Sequence, residues 1–367
     1  MNFDLTEEQQ LLADTAREVL SRSYDTESRN KIIDSDLGWS RDVWSQLAEI
    51  GILGLGFEAE ESGPTEVMVV MTEIGRRLAP EPVAAAALIP GSVIAAYGSA
   101  DQRALLDDVA SGQRLLAFAH TEPGRRGAAE LTTRATRQGE SWTLTGRKNP
   151  VLAGDSADVL VVTAALPGGG SGLFLVAGDA ATRHPFRTFD GQRGADVELD
   201  NTTAQPLGPG GDATSAIESA VIRFQAALCA EAVGAMDESL RLTTEYLKAR
   251  KQFGVPLKTF QTLTQRAADM YVSLELARSM SFYAAVCVAD GRFDPMVAAR
   301  SKLQIGRSGR HIAQEAIQLH GGIGVTAEYP IAHYAARLTA IEQTFGSPTD
   351  QLRYLSGQVG SYGVAAL

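Results

Sequence analysis

The chain is 367 residues long, more than one ordinary hydrophobic core accommodates and enough for two or three packed domains. Hydrophobic residues make up 44% and charged residues 21%, which is the balance of a globular chain and excludes a disordered or collagen-like one. A formal net charge of -11 argues against nucleic acid as the main partner, while a local basic patch for a phosphate-bearing ligand stays open.

In chain order, residues 1–113 read as a helical domain. The N-terminus has no charged segment followed by an apolar core and is not Arg-rich, so no signal or transit peptide is expected. Thr6 and Gln9 make a capping box that opens a helix through Leu20. A second helix is expected from Arg41 to Ile50, ending near Gly51. A third follows Pro64 and carries Val67, Val70, Met71 and Ile74 at helical spacing. An Ala-rich stretch follows Pro80 and Pro82.

Residues 114–211 change texture to short β-rich runs separated by turn residues. Ser141 to Thr145 alternates and is expected to stop at Gly146. Val159 to Thr163 is a continuous buried-type strand, and Leu173 to Val176 follows a Gly-rich loop. Such spacing without intervening helices predicts a small barrel or sandwich.

From residue 212 to 367 the helical period returns. Long patterns run from Thr214 to about Lys251, from Phe260 to Ala289 and from Pro295 to His320, and Arg337 to Phe345 lies near the end of a fourth. Helices of this length pack as an antiparallel bundle. The fold class is therefore α+β, mostly α: an N-terminal helical domain, a central β-barrel or sandwich and a C-terminal four-helix bundle. Cys229 and Cys287 lie in apolar helical stretches away from any Cys/His cluster, so neither a metal site nor a disulfide framework is expected. No run of eighteen or more apolar residues marks a membrane span, and the expected compartment is the cytoplasm.

Four segments carry a resemblance. They are Thr121-Glu122-Pro123; Trp142 through Gly146 to Lys148; Arg250-Lys251-Gln252-Phe253-Gly254 with Phe260-Gln261; and Gln318 through Gly321-Gly322 to Gly324, followed by Glu328-Tyr329-Pro330. In this order and with this domain layout, the chain resembles the acyl-CoA dehydrogenase family across nearly its whole length. The resemblance implies FAD as cofactor, an acyl-CoA thioester as substrate and electron-transferring flavoprotein as a further partner. It also implies a glutamate base that removes the α-proton while the β-hydrogen leaves as hydride to the flavin.

The family splits its FAD across a subunit boundary, and the half that holds pyrophosphate and adenosine is intact here. It comprises Arg250, Gln252, Phe253, Gln318, Gly321 and Gly322. Arg250 suits a phosphate oxygen, and the glycines let backbone come close to a cofactor. Taken singly, Arg250 and Lys251 with Gly254 and Pro256 beyond them, and Gly321-Gly322 after a helix, also fit ordinary helix C-caps. His320 reads as a packed or capping histidine.

The other half is altered. The family's two base positions fall at Phe224 and Phe345, and neither side chain accepts a proton. The family's substrate-facing arginine falls at Gln225, its ring-packing tryptophan at Pro150 and its flavin-bonding threonine at Leu152. The loop after Pro123 reads Gly124-Arg125-Arg126-Gly127-Ala128-Ala129-Glu130 in place of the family's Gly-Ser-Asp. Arg125 and Arg126 read as a solvated pair, with a role as phosphate ligands the alternative. The chain in this respect resembles the non-catalytic member of the actinobacterial α2β2 enzymes, several of which act on steroid side-chain thioesters. The resemblance then implies no catalytic residue here and a homologous catalytic chain as partner. One alternative is an autonomous homotetramer with Glu231 or Glu342 as a relocated base. Another is a scaffold without flavin.

Overall fold

The computed structural model describes residues 5–57, 63–124 and 131–361. Its contacts group into two units: Leu5–Val70 with Ala79–Phe224, and Met71–Leu78 with the chain from Gln225 onward. Two helices, Pro64–Arg77 and Thr214–Ala249, contribute to both.

The first unit begins with α1 (Glu7–Ser23), α2 (Thr26–Ile33) and α3 (Arg41–Glu49), followed by α4 (Pro64–Arg77). Thr6 and Gln9 form the reciprocal cap that opens α1, and the helix buries Ala13, Ala16 and Leu20 along one stripe. Ser40 caps α3, and Gly51 at φ +78° takes the left-handed turn that follows it. The Ala-rich stretch is a buried π-helical turn, Ala84–Leu88, which leads into α5 (Ile89–Tyr97), α6 (Ala100–Arg103) and α7 (Leu105–Ala110). Glu81 is buried where this stretch begins. Tyr24, at the end of α1, donates its hydroxyl to Glu81 Oε1, and the Ser40 N–H donates to the same oxygen at 3.1 Å. Glu81 Oε2 is buried without a partner.

The strands are β1 (Leu116–Ala119), β2 (Arg134–Gln138), β3 (Ser141–Leu152), β4 (Val159–Ala165), β5 (Ser171–Ala177), β6 (Thr182–Arg187) and β7 (Arg193–Pro206). Strand β4 pairs with β2, β2 with β3, β3 with β7, β7 with β5 and β5 again with β4. The ring closes, so the β-region is a barrel and not a sandwich. β1 joins β4 in parallel and β6 joins β7. Alternate residues, among them Leu144, Leu160, Val162, Phe174, Val176 and Val197, fill its interior.

Strand β3 does not stop at Gly146, as its glycine suggested; it continues to Leu152. The register shifts between Leu144 and Gly146, which marks a bulge. A Cβ at 146 would lie 2.6 Å from the Thr133 Cα, so glycine lets two strands pass closely and does not end one.

The second unit is built on α8 (Thr214–Ala249), α9 (Gln261–Ala289), α10 (Pro295–His320) and α11 (Pro330–Gln343), with a small β8 (Lys251–Gln252)/β9 (Val255–Pro256) hairpin before α9. A short α12 (Pro348–Gly357), unexpected from periodicity, packs on α10 and is opened by a Ser347/Asp350 capping box. The last turns of α4 cross α8 almost backbone to backbone. A Cβ on Gly75 would lie 1.9 Å from the Glu231 carbonyl oxygen, and one on Gly234 would lie 1.9 Å from that of Thr72. Asp237 of α8 binds Arg76 of α4 and Arg278 of α9, and the Tyr334 hydroxyl donates to the Arg76 carbonyl at 2.6 Å.

Helices α8 and α9 are both long and apolar enough to cross a membrane by length and composition alone. The apolar window of α8 is 83% buried, as in a core helix. That of α9 is only 39% buried, and Tyr271, Val272 and Leu276 are each more than half exposed.

Candidate functional site

The expected cofactor residues sit on two short arms of the second unit. The first begins where α8 ends and runs through the β8/β9 hairpin. Phe253 and Gly254 both have positive φ, +52° and +81°, which turns the hairpin and leaves Phe253 91% exposed, edge-on to Phe260. The Arg250 and Gln252 side chains are exposed and bond to none of the described residues. An arginine that merely capped α8 would bond its last carbonyls; this guanidinium does not.

The second arm begins where α10 ends. Gly321 has φ +66° and ψ -142°, a conformation reserved in practice for glycine, and a 3-10 turn follows over Gly321–Val325. Gly321 is therefore a structural terminator, as the capping interpretation held. Gly322 is different: its φ is ordinary and a Cβ built there meets nothing within 4 Å. The fold does not require that glycine. Gln318 is exposed, and its amide bonds to none of the described residues.

The two arms meet at Tyr246, one turn before Arg250, whose ring packs on His320 at 4.5 Å between centroids. One exposed guanidinium, two exposed amides and a backbone segment free of side chain thus belong to neighbouring arms. That set fits a diphosphate with its adenosine, as FAD carries.

The two positions at which the resemblance places a base both hold phenylalanine. Phe224 is buried in α8. Phe345 follows α11 at φ +53°, and its carbonyl accepts from Gln225 Nε2 at 2.9 Å and Gln351 Nε2 at 3.1 Å. Gln225 thus ties the turn in which Phe345 sits. The two carboxylates that could replace a base are both engaged. Glu231 is buried in a two-bond pair with Arg337, at 2.6 and 2.8 Å. Glu342 is buried and paired with Arg310, while Lys302 fixes the end of α11 through the Ile341 carbonyl at 2.5 Å.

The segment expected beside a flavin ring contains a buried charge pair that the sequence reading missed. Glu122 accepts from Lys148 Nζ at 2.8 Å, Thr132 N at 2.7 Å, Thr132 Oγ1 at 2.5 Å and Thr133 N at 2.9 Å. One carboxylate therefore ties both ends of the loop that starts at Thr121-Glu122-Pro123. Arg125, Arg126 and Glu130 of that loop lie outside the described residues. Burial raises the Glu122 pKa, but the Lys148 and Thr132 hydrogen bonds outweigh it and hold the carboxyl well below its usual range. Burial pushes the Lys148 ammonium down to about 8 against the pull of Glu122. Burial, with Lys148 nearby, pushes His120 down to about 4. A lysine at an inward position of a strand was the available signal, since a buried lysine needs a partner. Pro150 is exposed and Leu152 half-buried, and neither offers a ring plate or a side-chain donor.

Residues 6–113 match the acyl-CoA dehydrogenase N-terminal domain and residues 215–353 the acyl-CoA dehydrogenase C-terminal domain. The chain is 30% identical to the acyl-CoA dehydrogenase IpdE2 of Mycobacterium tuberculosis, over 96% of this chain and 98% of that protein. Among solved structures it superposes on a chain of the steroid ACAD Tcur3481-Tcur3483 with a TM-score of 0.90 and 31% identity, covering 97% and 98% of the two chains. It also shares its fold with the ChsE4-ChsE5 complex from Mycobacterium tuberculosis, with a TM-score of 0.91 at 24% identity and coverage of 99% and 100%. From both domain matches and from end-to-end similarity at this identity, the chain belongs to the acyl-CoA dehydrogenase family.

Proposed function

We propose that this chain is the non-catalytic subunit of a heteromeric, flavin-dependent acyl-CoA dehydrogenase. It completes the FAD site of a homologous catalytic chain in an α2β2 assembly holding two FADs. When bound, FAD accepts the hydride from the acyl β-carbon, and the partner supplies the base and the ring contacts. This chain supplies Arg250, Gln252 and Gln318 as donors to the diphosphate and adenosine, with the Gly321–Gly322 turn as the close-approach surface.

One contrast carries the reading: the phosphate-side donors are exposed and bond to none of the described residues, while both positions expected to hold a base are phenylalanine and both substitute carboxylates are locked in ion pairs. The partly uncovered face of α9, continuous in sequence with the Phe253 hairpin, supports a covering chain. A steroid side-chain CoA thioester as substrate is supported by the steroid ACAD and rests on analogy. Electron-transferring flavoprotein as acceptor and the cytoplasm as compartment follow the family in the same way.

The test is co-expression with a homologous acyl-CoA dehydrogenase chain that carries the glutamate base, against this chain alone, with bound FAD per chain read by absorbance. A colourless single chain and a pair with one FAD for every two chains support the reading. A single chain holding one FAD and oxidising an acyl-CoA overturns it, and a colourless pair removes the flavin role altogether.

A further inference from the structure

The rings between the two arms form a small cluster in which His320 is buried and Tyr246 and Tyr329 are half-buried. Tyr246 packs on His320, His320 packs on Tyr329 at 5.0 Å, and Tyr246 meets Tyr329 edge-on at 6.4 Å. The Tyr246 carbonyl accepts the Arg250 N–H at 2.8 Å, so the residue that packs on His320 also holds the start of the first arm. His320 itself precedes Gly321, the start of the second arm.

His320 is 4% exposed. Its Nδ1 lies 2.8 Å from the Ala316 carbonyl, which only accepts, so Nδ1 carries the proton. Nε2 is then the acceptor of a neutral ring, and it is buried without a partner. Its facing groups are the phenols of Tyr246 from α8 and of Tyr329 from the start of α11, with Glu245 and Arg241 acting on Tyr329 from beyond. None of the described carboxylates bonds the ring, and burial holds the imidazole below its ordinary value. A histidine kept neutral, buried and ring-packed is poorly placed for proton transfer and well placed to fix a distance.

We propose that His320 is a positioning residue whose ring couples the Arg250–Gly254 arm to the Gly321–Val325 arm, making them one pre-set clamp for the diphosphate–adenosine portion of a dinucleotide. This rests on the half-site reading above. Two short exposed arms that moved independently would lose order entropy on binding; a shared buried ring removes most of that loss in advance.

The test compares the wild-type chain with His320→Ala and His320→Phe by hydrogen exchange at neutral pH, then by FAD retention in the co-expressed pair. In His320→Ala, exchange rises about ten-fold at backbone amides of both arms, and in His320→Phe the first arm returns to wild-type protection, because a ring is restored without a titrating group. FAD leaves the His320→Ala pair at least about ten-fold faster and the His320→Phe pair within about three-fold of wild type. A rise confined to residues 321–326 overturns the coupling, as does failure of the phenylalanine to restore the first arm. FAD retention unchanged in His320→Ala overturns the clamp. A wild-type pair without FAD instead sinks the half-site reading, and the exchange data still decide whether the ring couples the arms.

Discussion

Burial pushes the Glu81 carboxyl up to about 7, against the pull of its Tyr24 and Ser40 donors. An acid with a raised folded pKa contributes stability that is present below its unfolded pKa, near 4.5, and lost as pH rises through about 7. Glu81→Gln removes the charge and keeps an acceptor for both donors. Its stability relative to wild type should rise between pH 5 and 8 by up to about 3 kcal/mol and level off above, as read by denaturant unfolding across pH. A flat difference would show that the Glu81 carboxyl has the same pKa in the folded chain as in the unfolded one. The glycines of the second arm give a sharper contrast. Gly321→Ala should cost about 1–3 kcal/mol because φ +66° is strained for alanine. Gly322→Ala should leave the thermal midpoint unchanged and still weaken FAD retention in the pair. Both glycines were legible in the sequence as one motif. Only backbone geometry separates the one that ends a helix from the one that leaves room for a ligand. Glu122 and Lys148 were legible only in part, because their pairing joins a loop to a strand far apart in sequence.

At the level of elements, periodicity was informative where one face of a helix or strand is buried. The limits of α10, Pro295–His320, and the start of α1 were readable because Pro295, Gly321 and the Thr6/Gln9 box are local signals. Strand β3 was misread at Gly146 because a bulge and a strand end use the same residue for different reasons, and the choice depends on Thr133 across the sheet. The crossing of α4 with α8 was invisible for the same cause: Gly75 and Gly234 look like weak points in two helical patterns. In the fold each is the contact itself. Gly75→Ala and Gly234→Ala should each destabilise the second unit by at least about 1–3 kcal/mol, since the added methyl meets backbone oxygen and no flexible side chain can yield. Thermal unfolding checks this, and a neutral Gly234→Ala would mean the two helices part readily.

For the whole molecule, the contrast between a family framework and phenylalanine at positions 224 and 345 determines which experiments are informative. The helix, barrel and bundle order was readable from texture alone, and the barrel's closure came from pairings such as β2 with β4 that no local pattern encodes. Phe224 and Phe345 stand out as the positions where a base is expected only through the family resemblance. Whether Glu231 or Glu342 replaced it depended on Arg337 and Arg310, which lie on other helices or other turns. The remaining question of assembly concerns α9. Tyr271, Val272 and Leu276 leave an apolar stripe on a helix whose partners in this chain cover only part of it. If a homologous chain covers that stripe, charge placed there must be desolvated on assembly, at a cost of several kcal/mol. Val272→Asp with Leu276→Lys should therefore leave this chain folded by circular dichroism and make it more soluble alone. The same double variant should no longer co-purify with the catalytic chain on a sizing column, and bound FAD should fall with it. Arg250→Ala should give the opposite dissociation of effects: the assembly persists and the flavin is lost. If the α9 variant still assembles at wild-type affinity, the stripe is not the interface and the partner must approach from elsewhere on the bundle.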